Sequence, residues 1–217
     1  MTVDALVFDA YGTLYDVHSV IRRCETCFPG KGTQLSQLWR AKQLEYTWQR
    51  SLMQRYVPFS QVTREALTYS CAALGLSHRE HEEALMAEYL HLAPFPEVPA
   101  ALERLKMKRA ILSNGSPDLL DPLVHNSGFK FDAVLSVDEL KIFKPAPQVY
   151  ELAVKRLNVP KARIGFVSSN CWDALGAKSF GFRVYWINRS GAPLDQLGFT
   201  PDEQIKSVAH LPNAVLR

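Results

Sequence analysis

The chain lacks any unbroken apolar run near the roughly 18 residues that a membrane span requires, and Asp4 interrupts the N-terminal segment before a signal-peptide core can form. A cytoplasmic protein with no membrane partner is expected. Cysteine is scarce: Cys24, Cys27, Cys71 and Cys171 are too few and too scattered for a secreted disulfide framework. Cys24-Glu-Thr-Cys27 is the only CxxC; no second ligand pair follows at zinc spacing and no thioredoxin-like strand precedes it, so these thiols are expected on one face of a helix. No basic block is longer than Arg22-Arg23, which removes the electrostatic footprint of a nucleic-acid binder. P-loop and GxSxG elbow are both missing. Gly30-Lys-Gly32 runs on to Leu35 where a dinucleotide fingerprint needs glycine, and His81-Glu82 lacks the second histidine of a zincin. Asn114-Gly-Ser116 and Asn188-Arg-Ser190 match the glycosylation sequon, but with no secretory signal they carry no functional weight.

What remains is ordinary globular composition: 217 residues, 47% hydrophobic, 22% charged, net charge +3. Such a chain folds to roughly 10,000 Å² of surface and buries close to 70% of what it exposes unfolded, enough for one sizeable core with an inserted subdomain. A small-molecule site is the kind to look for.

Short apolar runs rich in β-branched or aromatic residues recur at 5–8, 110–112, 133–135, 164–167 and 184–187, each a candidate buried strand. Helical patterns at 98–106, 117–126 and 149–157 lie between them. The alternation predicts an α/β fold with a Rossmann-type parallel sheet and helices on both faces. Residues 18–93 break the rhythm with three helix-like segments, near 33–56, 60–75 and 78–92, and no strand candidate. They read as an all-helical cap inserted into a core of 1–17 and 94–217. Ser60 is a candidate cap for the second segment, Gly75 a candidate stop, and Pro94, Pro96 and Pro99 stiffen the return.

Ligands of open α/β sheets sit beyond the carboxyl ends of the strands, so the residues there are the ones that matter. The first strand runs into Asp9-Ala-Tyr-Gly-Thr13, the second ends in Ser113-Asn-Gly115, Lys144-Pro145 follows the third, and the fourth ends in Ser168-Ser-Asn-Cys-Trp-Asp173. Singly, each reads equally as a turn, a cap or a solvated charge. Together they place two carboxylates, a cation, hydroxyls and amides at one mouth.

This set, in this order, resembles the haloacid dehalogenase superfamily, with its aspartate in DxxGT, hydroxyl residue after strand two, Lys-Pro and acidic fourth loop. Within it the chain is most similar to the (S)-2-haloacid dehalogenases, through Phe8-Asp-Ala-Tyr-Gly-Thr-Leu14, Asp16-Val-His-Ser19, Leu38-Trp-Arg40, Gln43-Leu-Glu-Tyr46, Leu112-Ser-Asn-Gly115 and Ser168-Ser-Asn-Cys-Trp-Asp173. The resemblance implies a reaction without metal or cofactor, on a small 2-haloacid and water, in a homodimer. Asp9 is implied as nucleophile, held by Thr13; Asp173 as the group that orients or activates water; Lys144, Tyr150, Ser168 and Asn170 as the surrounding polar network. It further implies Ser113 as the carboxylate anchor, Arg40 with Asn114 as the cradle of the departing halide, and Tyr11, Leu44, Phe59 and Trp172 as the wall around the alkyl chain.

Two other readings stay open at this point. A phosphatase of the same superfamily would carry aspartate where Tyr11 stands and commonly another where Asn170 stands, because hard Mg²⁺ wants carboxylate oxygens. A non-catalytic module that uses the helical segment for binding has no evident need for Asp9, Lys144 and Asp173 together.

Overall fold

The computed structural model describes residues 3–216; residues 1–2 and 217, the ends of the expected core, lie outside the described residues. The strands are β1 (Ala5–Phe8), β2 (Lys108–Ser113), β3 (Ala133–Ser136), β4 (Ile164–Ser168), β5 (Arg183–Ile187) and β6 (Glu203–Ile205). All pair in parallel, in the order β3-β2-β1-β4-β5-β6. Every residue of β1 and β4 is buried, as befits central strands covered on both faces, and their sequences are correspondingly continuous apolar runs. Gly165 lets β4 sit close to its neighbours, because a Cβ there would meet Leu6 Cδ2 at 2.7 Å.

β6 departs from the sequence reading, which contains no strand there. It is three residues long, has one buried apolar side chain in Ile205, and lies at the sheet edge, so it shows no hydrophobic period.

Between β1 and β2 the chain adds no strand to the sheet. It forms α1 (Ile21–Cys27), α2 (Gly32–Leu52), α3 (Phe59–Ala73), α4 (Glu82–Ala87) and α5 (Val98–Arg104). Four more helices follow: α6 (Pro117–Ser127), α7 (Pro147–Leu157), α8 (Cys171–Phe180) and α9 (Leu211–Ala214). Cys24 and Cys27 lie on α1, as expected of one helix face, with Cys24 buried. Gly75 follows the end of α3 at φ +67°, a conformation that favours glycine. Ser60 does not cap α3: the helix starts at Phe59 after Pro58, and the Ser60 backbone N–H donates to Ser116 Oγ at 3.0 Å. That free N–H is satisfied by another element, so the cap is a tertiary contact with no local signature.

The helical segment docks on the carboxyl ends of the strands through a few specific contacts. Tyr56 Oη donates to Asp138 Oδ1 at 2.8 Å, the Phe143 backbone N–H donates to Ser51 Oγ at 3.1 Å, and the Tyr11 and Phe59 rings lie 5.5 Å apart. Among the described residues no helix is long and apolar enough to cross a membrane. The whole presents 10343 Å² of surface, close to the expectation from chain mass.

Beneath the strand ends lies an aromatic cluster. Phe166 of β4 meets Tyr150 of α7 edge-on at 5.5 Å and stacks on Phe182 at 6.1 Å, while Lys144 Nζ sits 5.3 Å above its ring. Phe166→Ala is therefore expected to cost about 3–5 kcal/mol, the usual range for emptying a packed aromatic site. Denaturant unfolding checks it: the midpoint falls while the slope is unchanged.

Candidate active site

The sheet order reverses direction between β1 and β4, and the crevice at that switch point is where an open α/β sheet binds its ligand. Register carries the chemistry there. Phe8 pairs with Val167, and the Asp9 N–H donates to the Val167 carbonyl at 2.9 Å, so Asp9 and Ser168 leave adjacent strands side by side.

Asp9 is 5% exposed. Its Oδ2 accepts from Asn170 Nδ2 at 2.7 Å and Thr13 Oγ1 at 3.0 Å, and its Oδ1 accepts from Lys144 Nζ at 3.0 Å. Lys144 Nζ also donates to Asp173 Oδ2 at 2.8 Å. Tyr150 Oη donates to the other Asp173 oxygen at 2.8 Å, and Ser168 Oγ lies 3.2 Å from Asp173 Oδ2. Gly176, one turn along α8 from Asp173, makes room for this arrangement: a Cβ there would meet Tyr150 Oη and Pro145 Cβ, each at 2.6 Å.

Lys144 is 1% exposed and Asp173 is fully buried. Burial works against the ammonium, but the flanking carboxylates of Asp173 and Asp9 outweigh it, and the Lys144 pKa is raised. Burial also pushes Asp173 up, to about 6; Lys144 opposes this and the nearby Asp9 charge adds to it. Burial, then the Asp173 charge, holds the Tyr150 phenol well above its ordinary value, so it remains a donor at neutral pH.

Thus Asp9, Thr13, Lys144, Tyr150, Ser168, Asn170 and Asp173 form one hydrogen-bonded network. The remaining expected residues have other partners. Ser113 is buried at the end of β2 and accepts the Gly115 N–H at 3.0 Å, which shapes the loop after the strand. Asn114 Oδ1 accepts the Lys144 backbone N–H at 2.9 Å, fixing the side chain so that its NH₂ end is the one left for a ligand.

From the helical side, Arg40 of α2 is half-buried and donates through Nη1 to Gln43 Oε1 at 2.8 Å. Burial pulls its pKa down, while the charges of Tyr89, Asp9 and Tyr11 act in the opposite direction. Tyr11 packs on Phe59, and its buried Oη has no hydrogen-bond partner. Trp172 meets Trp48 of α2 edge-on at 5.5 Å. Leu44 is half-buried one turn beyond Arg40.

Sequence reasoning missed several supports. Gln43 holds Arg40 and in turn donates to Thr63 Oγ1 at 2.7 Å, whose hydroxyl donates to the Phe59 carbonyl at 2.8 Å. Tyr89 lies against Tyr11 and Trp39. Ser169 donates its backbone N–H to Thr13 Oγ1 at 2.8 Å. Gln43 stands in the sequence reading only within the stretch that carries the resemblance and has no role there; its place three residues after Arg40, on the same helical face, is the available signal. Among the described residues no three His, Cys, Asp or Glu side chains converge as a metal ion would need.

Comparison with known proteins agrees with this arrangement. A family model for haloacid dehalogenase-like hydrolases matches residues 3–181. The (S)-2-haloacid dehalogenase H-109 of Pseudomonas putida is 49% identical over 220 aligned residues, covering 99% of this chain and 98% of its own. The haloacetate dehalogenase H-2 of a Moraxella species is 50% identical over 206 residues, 92% of each chain. A solved L-2-haloacid dehalogenase from Xanthobacter autotrophicus, with chloropropionic acid covalently bound, superposes with a TM-score of 0.93 at 41% identity, covering 99% of this chain and 98% of that one. The chain belongs to the haloacid dehalogenase-like hydrolase family, on its (S)-2-haloacid dehalogenase branch.

Proposed function

We propose that the protein hydrolyses L-2-haloalkanoic acids to D-2-hydroxyalkanoic acids, with inversion at C2, through an ester on Asp9. The observation that carries this reading is the buried Lys144 ammonium shared between Asp9 and Asp173. It orients one carboxylate as a nucleophile while the second stands beside it, ready to act on water.

In the first half-reaction an Asp9 oxygen attacks C2 from the face opposite the halogen. The carbon–halogen bond breaks, and halide leaves with the bonding pair. Ser113 and the backbone amides after it hold the substrate carboxylate, and Tyr11, Leu44, Phe59 and Trp172 enclose the alkyl chain. Arg40 and the Asn114 amide receive the halide. Their contribution grows as charge develops on the leaving atom, which is differential stabilisation of the transition state.

In the second half-reaction water attacks the Asp9 carbonyl carbon and gives its proton to Asp173. Collapse of the tetrahedral adduct breaks the bond between that carbon and the substrate oxygen, so C2 keeps its inverted configuration. The hydroxy acid takes a proton as it leaves, Asp9 is restored, and the net products are hydroxy acid, halide and one proton.

The donor set around Asp9 disfavours the phosphatase reading. An amide nitrogen and an ammonium occupy the carboxylate, and Tyr11 stands where a second acid would be, whereas Mg²⁺ selects an oxygen-rich cage. The expected division into a core of 1–17 and 94–217 and a cap of 18–93 belongs to the same proposal, in which the cap supplies Arg40 to the nucleophile. Cytoplasmic residence and a homodimer complete the proposal. Leu52 and Met53 at the end of α2 and Tyr69 on α3 are exposed apolar side chains suited to a second copy, and sedimentation at the mass of a single chain would count against the dimer.

The decisive assay is halide release from separate L- and D-2-chloropropionate in the presence of chelator. Release from the L form alone, insensitive to chelator, is expected; magnesium-dependent phosphate release with no halide release would overturn the proposal.

A pH profile follows from Asp173. With its pKa raised to about 6 in the free enzyme, Asp173 takes a proton as pH drops through that value; the Lys144 ammonium that orients Asp9 then loses its second charged partner, so kcat/KM falls. Esterification removes the Asp9 charge that helps hold Asp173 up, so Asp173 becomes more acidic in the intermediate. The acid limb of kcat is therefore expected at lower pH than that of kcat/KM, in parallel profiles with L-2-chloropropionate.

A further inference from the structure

The Asn188-Arg-Ser190 segment, which as a sequon carries no function, holds a feature of the reaction centre. Asn188 is buried at the end of β5 and closes a short turn on itself: its Oδ1 accepts the Ala192 N–H at 2.9 Å and its Nδ2 donates to the Ala192 carbonyl at 2.8 Å. That turn aims Arg189 away from its own strand and across the mouth of the sheet. Its guanidinium donates through Nη1 to the Gly12 carbonyl at 3.2 Å and through Nη2 to the Thr13 carbonyl at 3.0 Å. Nη2 also meets Glu97 Oε1 at 3.1 Å, and the guanidinium carbon stacks 3.7 Å over the Phe95 ring.

These four contacts join three pieces of chain. Gly12 and Thr13 belong to the nucleophile loop, just before the chain departs into the helical insertion; Phe95 and Glu97 belong to the segment by which it returns. The Phe95 N–H donates to the Leu14 carbonyl at 3.0 Å, so departure and return lie side by side. Gly12 holds the loop in a sharp turn at φ +85°, and its carbonyl also accepts from Ser169 Oγ at 2.5 Å. Thr13, whose carbonyl Arg189 holds, is the residue whose hydroxyl donates to Asp9 Oδ2.

We propose that Arg189 is a positioning residue for the dehalogenation, locking the turn that aims Asp9 and tying that turn to both crossings between the sheet and the helical insertion. The inference rests on the dehalogenase reading. Arg189 suits the task because a planar guanidinium can hold two neighbouring carbonyls in one geometry while its face stacks on an aromatic ring. A lysine offers a cation without the fork. With the clamp gone the nucleophile is less well aligned at C2, whereas Ser113, which holds the substrate carboxylate from the end of β2, is untouched. The loss therefore falls on turnover and leaves substrate affinity largely intact.

The test uses full-length Arg189→Met and Arg189→Lys, with kcat and KM for L-2-chloropropionate and a thermal melt for each. The expected result is a kcat for Arg189→Met lower by about tenfold or more, KM within about threefold of the parent, and an intermediate kcat for Arg189→Lys. A folded variant of either kind with parental kcat, or one in which only KM changes, overturns the proposal. Should Arg189→Met fail to fold, Arg189→Lys decides between an intermediate and an unchanged kcat. An inactive parental enzyme would instead overturn the dehalogenase reading itself.

Discussion

A single ammonium held between two buried carboxylates is the constraint on which the rest of the site depends. Taking Asp9, Lys144 and Asp173 out of water carries a large desolvation penalty, and their mutual attraction offsets it only where the geometry is good and the remaining polar atoms are partnered. Tyr150, Ser168, Asn170 and Thr13 supply those partners. The cluster carries one excess negative charge, which is lost when Asp9 becomes an ester, so it passes from net negative to neutral between the two half-reactions. In the proposed mechanism Asp173, its pKa raised by burial and by the Asp9 charge, becomes available as base once its neighbour is neutral.

This cluster can assemble because four parallel strands end at one level. β1 and β4 are adjacent and in register, which sets Asp9 beside Ser168; β2 ends in Ser113, and the loop beyond β3 brings Lys144 back over the mouth. The helical insertion then completes what the sheet lacks. Arg40 reaches the site from above, held by Gln43, which is held in turn by Thr63. Such a relay has meaning only while the two layers keep their relation, to which the junction of Gly12, Thr13, Phe95 and Glu97 under Arg189 contributes beside the Tyr56–Asp138 and Phe143–Ser51 contacts.

Much of this was legible in the sequence for definite reasons. Central parallel strands must be apolar on both faces, so β1, β2, β4 and β5 announce themselves as short unbroken runs, and polar residues just after them stand out. That logic singled out Asp9 and Asp173 as strand-end candidates and Lys144 as a cation beyond the loop after β3, while their roles came from the resemblance. Arg40 was different: on periodicity alone it reads as a solvated helix residue, and only resemblance singled it out. What stayed hidden depends on tertiary partners. Three residues of edge strand around Ile205 have no period. The N–H of Ser60 is satisfied by Ser116, far away in sequence. Tyr89 looks like any aromatic on an amphipathic helix. Arg189 sat inside a tripeptide whose familiar meaning was glycosylation, and nothing local relates it to Gly12.

The central claim is that the oxygen delivered to the product first belongs to Asp9, and isotope transfer tests it most directly. Turnover of L-2-chloropropionate in heavy-oxygen water, followed by mass analysis of the peptide containing Asp9, should show label in that carboxylate, while a single turnover with enzyme in excess should give hydroxy acid that carries unlabelled oxygen at C2. Label in the hydroxyl of the single-turnover product, with none in the Asp9 peptide, would mean that water attacks C2 directly and would contradict the ester intermediate.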